Sequence, residues 1–213
     1  MIRAQTRFGN FMIGDRPRVV GTVSKPDTKI VAGDCDIVEL RLDLIPLRPV
    51  GLPSIATIRL GGEGGKWTKP DADRLPLFEQ ALQKCTAADI ELRSEVLEKV
   101  SELAVRHQKA LIVSYHDFEK TPALDELRQV MTRAANYGTV VKIATMTRSE
   151  DDLQTLRALF KENCSAALCV LGMGPLAAKS RKEFPKLGSC FVYGYLDEPV
   201  APGQPAARDL AVL

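Results

Sequence analysis

Eight short apolar runs, most of them separated by helical patterns, in a chain of 213 residues predict an α/β protein of the (β/α)8 TIM barrel class. Two further observations support this. Several runs alternate apolar with charged residues, as a one-faced antiparallel sheet would, yet the segments between them are helical rather than hairpin turns. No Ser/Gly-rich linker or charge block divides the chain, so a single domain over 1–213 is expected. An open doubly wound sheet is the competing arrangement; so many alternations in a chain of this size favour closure into a barrel.

The strand candidates span 19–23, 37–42, 55–60, 89–92, 110–115, 139–145, 166–171 and 190–196. Helical patterns cover 73–84, 95–107, 122–136, 150–163 and 176–184, and a last one begins at 209. Thr121-Pro122 reads as an N-cap followed by an N1 proline, Ser149 with Asp152 as a capping box, and Gly138 as the close of the third helix. The first two crossovers, 25–36 and 45–53, are close to the minimum of about ten to twelve residues for a parallel return, so their helices are expected to be short or absent. Before the first strand, residues 2–12 suit a short hairpin turning at Gly9-Asn10, a candidate cap on the barrel.

Composition excludes several classes of function. With 29 Lys+Arg against 27 Asp+Glu the formal net charge is +2, and no basic run tracks a phosphate backbone, so nucleic acid is not an expected partner. The first fifteen residues lack the apolar core of a signal peptide and no stretch approaches membrane-spanning length; a cytoplasmic protein without membrane association is expected. The five cysteines lack Cys-x-x-Cys spacing and sit mostly in apolar settings, as reduced core thiols do.

The alternation places charges on one strand face: Glu39, Arg41 and Asp43; Thr57 and Arg59; Asp89, Glu91 and Arg93; Ser114 and His116; and Lys142. Inside a barrel such a face must be ion-paired or used in chemistry, and a charged interior near the C-terminal mouth is where barrel enzymes work. Structural pairing accounts for Asp43, Asp89 and Arg93. Lys142 stands alone in a β-branched run. It either pairs with a carboxylate or snorkels, or it is a buried amine whose burial and cationic neighbours keep part of it neutral, and so nucleophilic toward carbonyl carbon.

Of the two histidines, His107 ends a helical pattern between Arg106 and Lys109 and is expected at the surface, whereas His116 ends a strand and can act as general acid and base. No His-x-x-x-His spacing or Cys/His cluster suggests zinc. The loop Gly61-Gly62-Glu63-Gly64-Gly65-Lys66 fits neither phosphate-binding count, because its lysine comes one residue early and Trp67 follows. It reads instead as a flexible strand-to-helix loop that presents Glu63.

Taken in order, Glu39-Leu40-Arg41-Leu42-Asp43, Arg59 with Glu63-Gly64-Gly65, Ser114-Tyr115-His116-Asp117-Phe118 with Lys120-Thr121-Pro122, Lys142-Ile143-Ala144, Met173-Gly174 leading to Arg181, and Ala201-Pro202-Gly203-Gln204 together resemble type I 3-dehydroquinate dehydratase. The resemblance implies dehydration of 3-dehydroquinate to 3-dehydroshikimate through a lysine imine, the third step of the shikimate pathway to aromatic amino acids. It further implies Lys142 as the imine-forming lysine, His116 as proton shuttle and Glu63 as its orienting partner. Glu39, Arg41 and Arg59 then correspond to groups that bind substrate hydroxyls, and Arg181 and Gln204 to groups near the substrate carboxylate. No metal or organic cofactor is implied, and a homodimer is expected. Val200 departs from the family, which usually has a substrate-binding serine there. The chain also stops at Leu213, where the family's final helix is usually longer, so barrel closure or dimer contacts are expected to differ. No dehydrogenase domain is expected to follow. A class I aldolase shares a lysine on a strand but requires neither the His116 and Glu63 pair nor the segment from Arg181 to Gln204; a non-catalytic metabolite-binding barrel would be expected to lose the charged set.

Overall fold

The computed structural model describes residues 6–210. A hairpin of β1 (Thr6–Phe8) and β2 (Phe11–Ile13) precedes eight parallel strands: β3 (Arg18–Val23), β4 (Ile37–Arg41), β5 (Ser54–Thr57), β6 (Ala87–Glu91), β7 (Ala110–Asp117), β8 (Val140–Met146), β9 (Ala167–Met173) and β10 (Phe191–Tyr195). They follow one another around the sheet in chain order, with β10 beside β3, as the (β/α)8 expectation requires. At the seam between β9 and β10, Cys190 N–H donates to Leu168 O at 2.8 Å. Ser189 Oγ there accepts from Val170 N–H at 3.0 Å and donates to Phe191 O at 3.1 Å.

Five helices cover the outside: α1 (Leu75–Leu82), α2 (Leu97–Arg106), α3 (Leu124–Ala135), α4 (Glu150–Leu159) and α5 (Ala177–Leu187). The first two crossovers carry no described helix, as their length implies. Elsewhere the ends move. The helical pattern from 73 divides into a 3-10 turn, Asp71–Arg74, and α1. Thr121 does not cap α3; its hydroxyl donates to Met146 O at 2.7 Å and lies 3.0 Å from Thr145 Oγ1, so Ala123 is the N-cap residue and Thr121 ties its loop to the end of β8. Ser149 and Asp152 do form the capping box of α4. That helix stops at Leu159 rather than 163, where bonds to residue i−3 tighten the chain. Helix α5 runs past 184 to Leu187, because Pro185 falls in its last turn, where its missing N–H removes one bond only. Gly138 N–H bonds to Ala134 O, finishing α3. Near the end a 3-10 turn, Ala207–Asp209, takes the place of the start of the expected helix; 211–213 lie outside the described residues, as do 2–5 of the expected hairpin span.

The barrel interior is layered. Val20, Ile37, Ile55, Ala87, Ile112, Val140, Ala167 and Phe191 form one apolar cluster with Phe8 and Ile13 of the hairpin, which close the N-terminal end. Phe8 meets Phe191 edge to face, with ring centroids 5.7 Å apart. The turn needs Gly9, whose φ is 60° and whose absent Cβ would lie 2.7 Å from Thr86 Cγ2. Alternate residues of the same strands face the helices: Ile90, Val113, Val141, Ile143 and Val170 pack on Leu103, Leu127, Leu156 and Phe184. Two residues further along, the inward positions become polar, beginning with Thr22, Glu39, Thr57, Asp89, Ser114 and Lys142.

Because Phe8 is fully buried beneath the barrel, Phe8→Ala should lower unfolding free energy by about 3–5 kcal/mol in urea denaturation. A loss below about 1 kcal/mol would mean that the hairpin is not part of the core.

Candidate active site

At the C-terminal mouth a pocket is lined by every predicted site residue: Glu39, Arg41, Arg59, Glu63, His116, Lys142, Arg181 and Gln204. Strand register explains the gathering. Ser114 pairs with Lys142 and His116 with Ala144, so Lys142 points inward from β8 one layer below His116 on β7.

Lys142 is 5% exposed. Its Nζ donates to Asp89 Oδ2 at 2.9 Å, lies 3.9 Å from Glu39 Oε1, and sits 4.1 Å from the centroid of the Tyr193 ring. The partners in contact with the amine are thus carboxylates and an aromatic face: the carboxylate pairing that the sequence left open is present, and of the expected cationic neighbours Arg59 stands behind Asp89. Asp89 Oδ1 accepts from Arg59 Nη2 and from Ser114 Oγ, both at 2.7 Å. Burial would raise the Asp89 pKa, but Arg59 and Lys142 outweigh it and hold the group below the usual carboxylate range. Glu39 is fixed by Thr57 Oγ1 at 2.9 Å and Thr22 Oγ1 at 2.8 Å.

Glu63 leaves a 3-10 turn (Gly61–Glu63) after β5, and the loop folds back because Gly65 N–H reaches Leu60 O at 2.9 Å. No side chain fits at Gly65, where a Cβ would lie 1.9 Å from Arg59 O. Glu63 Oε2 accepts from the His116 backbone N–H and meets His116 Nδ1, each at 3.0 Å, while Oε1 is buried without a partner. Burial pushes the Glu63 pKa up to about 7, and burial together with Arg59 and Lys142 holds that of His116 well below 6.5. With Glu63 ionised, Nδ1–H donates to it and the Nε2 lone pair is left for proton abstraction.

The cations differ in how they are held. Arg41 is locked in a two-bond pair with Asp43, at 2.9 and 2.7 Å. Arg93 stacks on the Tyr115 ring at 4.6 Å rather than pairing with an acid. Arg181, 3% exposed, donates Nε to Tyr193 O at 3.1 Å and Nη1 to Gly172 O at 3.1 Å and Ala177 O at 3.2 Å, with no carboxylate among these contacts; burial lowers its pKa to about 10. A buried guanidinium satisfied by carbonyl oxygens alone keeps its charge available to an anion. Gln204 accepts from Val200 N–H at 2.9 Å and donates to Thr22 Oγ1 at 3.3 Å, connecting the last loop to Glu39.

Sequence reasoning missed Thr22, Leu171 and Tyr193, which line the same pocket; Phe118 and Met173, singled out only as parts of motifs, line it too. Tyr193 gives no alternation signal, since its strand is apolar on both faces; Thr22 resembles any strand threonine. His107 caps the C-terminal end of α2, half-buried rather than fully at the surface.

A parallel barrel with its ionisable groups gathered at the C-terminal mouth belongs to the class of barrel enzymes. The sequence profile described as Type I 3-dehydroquinase matches residues 23–213. A 3-dehydroquinate dehydratase of Methanocella arvoryzae is 35% identical over 200 residues, covering 88% of this chain and 91% of its own. Among solved structures, the 3-dehydroquinate dehydratase of Geobacillus kaustophilus superposes with a TM-score of 0.86 at 24% identity, over 98% of this chain and 94% of that one. That of Aquifex aeolicus gives 0.77 at 28%, over 91% and 95%. The chain belongs to the type I 3-dehydroquinase family.

Below about pH 7 the Glu63 carboxyl gains a proton and no longer accepts from Nδ1–H, so activity limited by His116 should fall as pH drops through that value. Glu63→Gln should remove this limb from the kcat profile and lower its plateau by roughly tenfold or more. A limb unchanged in Glu63→Gln would assign it to another group.

Proposed function

We propose that this chain dehydrates 3-dehydroquinate to 3-dehydroshikimate through an imine on Lys142, with His116 moving the protons, and that one barrel domain carries the whole reaction. The observation that carries this reading is the pairing of a buried lysine amine with a His116–Glu63 couple one layer above it. The neutral Lys142 amine adds to the ring ketone, and the carbinolamine takes up one proton from solvent as it loses water to give a protonated imine. That cation withdraws electrons from the adjacent carbon, so His116 Nε2 can remove its proton. The resulting enamine expels the β-hydroxyl, which takes the proton back from the imidazolium and leaves as water. Hydrolysis of the conjugated imine takes up one water from solvent, balancing the one lost when the imine formed, and returns the proton and the free Lys142 amine. Proton removal and return fall to one imidazole, which Glu63 keeps in the required tautomer.

Arg181 supplies the cation for the substrate carboxylate, with Gln204 beside it; Glu39, Arg41 and Arg59 hold the hydroxyls. Val200 offers no hydroxyl on the last loop, so Gln204 and Arg181 carry the recognition there. The chemistry described needs no cofactor. None of the described helices is long and apolar enough to cross a membrane. Work in the cytoplasm as a homodimer is part of the same reading, and sedimentation would measure the assembly.

Borohydride added during turnover of 3-dehydroquinate should leave a secondary amine on the peptide containing Lys142, while the conjugated enone product is followed by absorbance. The adduct should need both reagents and vanish in Lys142→Ala. Product without an adduct, or an adduct on Lys120 or Lys179, would reject the imine assignment. Arg181→Ala should raise KM about a hundredfold with a smaller change in kcat, since a charge-assisted pair contributes roughly 1.5–3 kcal/mol. An unchanged KM would remove Arg181 from carboxylate binding.

A further inference from the structure

Behind the pocket an ion chain leads from Lys142 and Arg59 to two residues, Glu91 and Arg74, that the reaction as described leaves unused. Arg74, in the 3-10 turn before α1, is 0% exposed and does not line the pocket. Its Nη1 donates to Glu91 Oε2 and to Ile58 O, each at 2.6 Å; Nε reaches Asp71 Oδ1 at 2.7 Å and Nη2 reaches Ser94 Oγ at 2.9 Å. Glu91 Oε1 accepts from Arg59 Nη1 at 3.1 Å and from Leu60 N–H at 2.9 Å. Arg59 then holds Asp89, and Asp89 holds Lys142. Charge alternates along the chain from Arg74 through Glu91, Arg59 and Asp89 to Lys142. We propose that Arg74 is a positioning residue: by satisfying Glu91 it leaves Arg59 free to neutralise Asp89, and so sets how strongly Asp89 retains the proton on the Lys142 amine. This rests on the reading of Lys142 as the reacting amine.

Arg59 and Arg74 share one carboxylate partner. Glu91 is fully buried, and among the described residues the cations paired with it are Arg59 and Arg74. A buried carboxylate deprived of one cation draws harder on the other. Without Arg74, the Arg59 guanidinium turns toward Glu91, and Asp89 keeps Lys142 as its main counter-charge. The ammonium form gains, and the fraction of neutral amine at a given pH falls. The other groups facing Lys142 are Glu39 from β4, Arg59 from the segment just after β5, Ser114 and His116 from β7, Cys169 from β9 and Tyr193 from β10, with Arg41 nearer the mouth; none of them contacts Arg74. A purely structural Arg74 would change stability and leave the amine's titration where it was.

The test is competitive labelling of Lys142 by acetic anhydride across pH, read by peptide mass on the full chain without substrate. In Arg74→Met the pH of half-maximal labelling should rise by roughly one unit, a tenfold loss of reactive amine well below the midpoint. Arg74→Met/Glu91→Gln, which removes both charges of the outer pair, should return the midpoint to that of the unaltered chain. Arg74→Lys keeps the charge and should hold it close to that value. A midpoint unmoved in Arg74→Met, or a shift that persists in the double variant, overturns the proposal. If Arg74→Met does not fold, Glu91→Gln alone decides: it should lower the midpoint, and an unmoved midpoint overturns the proposal equally. Borohydride trapping on the unaltered chain separates the two levels. An adduct with unmoved midpoints leaves the imine reading standing and removes only Arg74; no adduct removes both.

Discussion

The structure depends on how one buried carboxylate is shared. Asp89 sits at the bottom of the polar part of the barrel, fully enclosed, between the Arg59 guanidinium and the Lys142 amine. An isolated carboxylate there would cost several kcal/mol, and so would an isolated amine; together, with Ser114 filling the remaining hydrogen-bond position, they are tolerated. This pairing fixes where the lysine ends, and with it the point about which the other pocket groups are arranged. It also means that the interior cannot be rebuilt one charge at a time, because each group's partner is held by a further partner.

The barrel separates two tasks along its axis. The lower inward layers, closed by Phe8 and Ile13, are apolar and supply packing; the upper layers carry charge. Strand pleating makes this possible, since a shift of two residues changes the layer without changing the face. The Gly-rich loop after β5 then brings a carboxylate over the top of β7, where neither strand could have placed it. His116 therefore receives its ring partner from sequence fifty-three residues away.

How much of this could be read from the chain varied by residue. The parity of Glu39, Arg41, Arg59, Asp89, His116 and Lys142 was visible because charged residues alternating with apolar ones in segments joined by helices have one economical placement. Arg74 was invisible for the opposite reason: within a helical pattern rich in charge it reads as solvent-facing, and only tertiary packing buries it. Tyr193 was hidden in an all-apolar strand. Thr121 was misread as a cap because its hydroxyl has two possible uses, and the tie to Met146 prevails over the helix end. Asp89, assigned to structural pairing, does pair, but with the very lysine that defines the pocket. For Lys142 the sequence left carboxylate pairing and cationic neighbours both open, and both are present: Asp89 touches the amine and Arg59 stands behind it.

The hairpin at the N-terminal end makes the barrel a cup. With Phe8 and Ile13 filling its base, the pocket opens at the mouth end of the barrel, so under the proposed reaction substrate, product and the hydrolytic water would all use the same side. Traffic through one door imposes an order on events. On the proposed reading of Lys142, a ring bound above the amine would stand in the path of solvent, and the water that releases the lysine would enter past the molecule it is about to free.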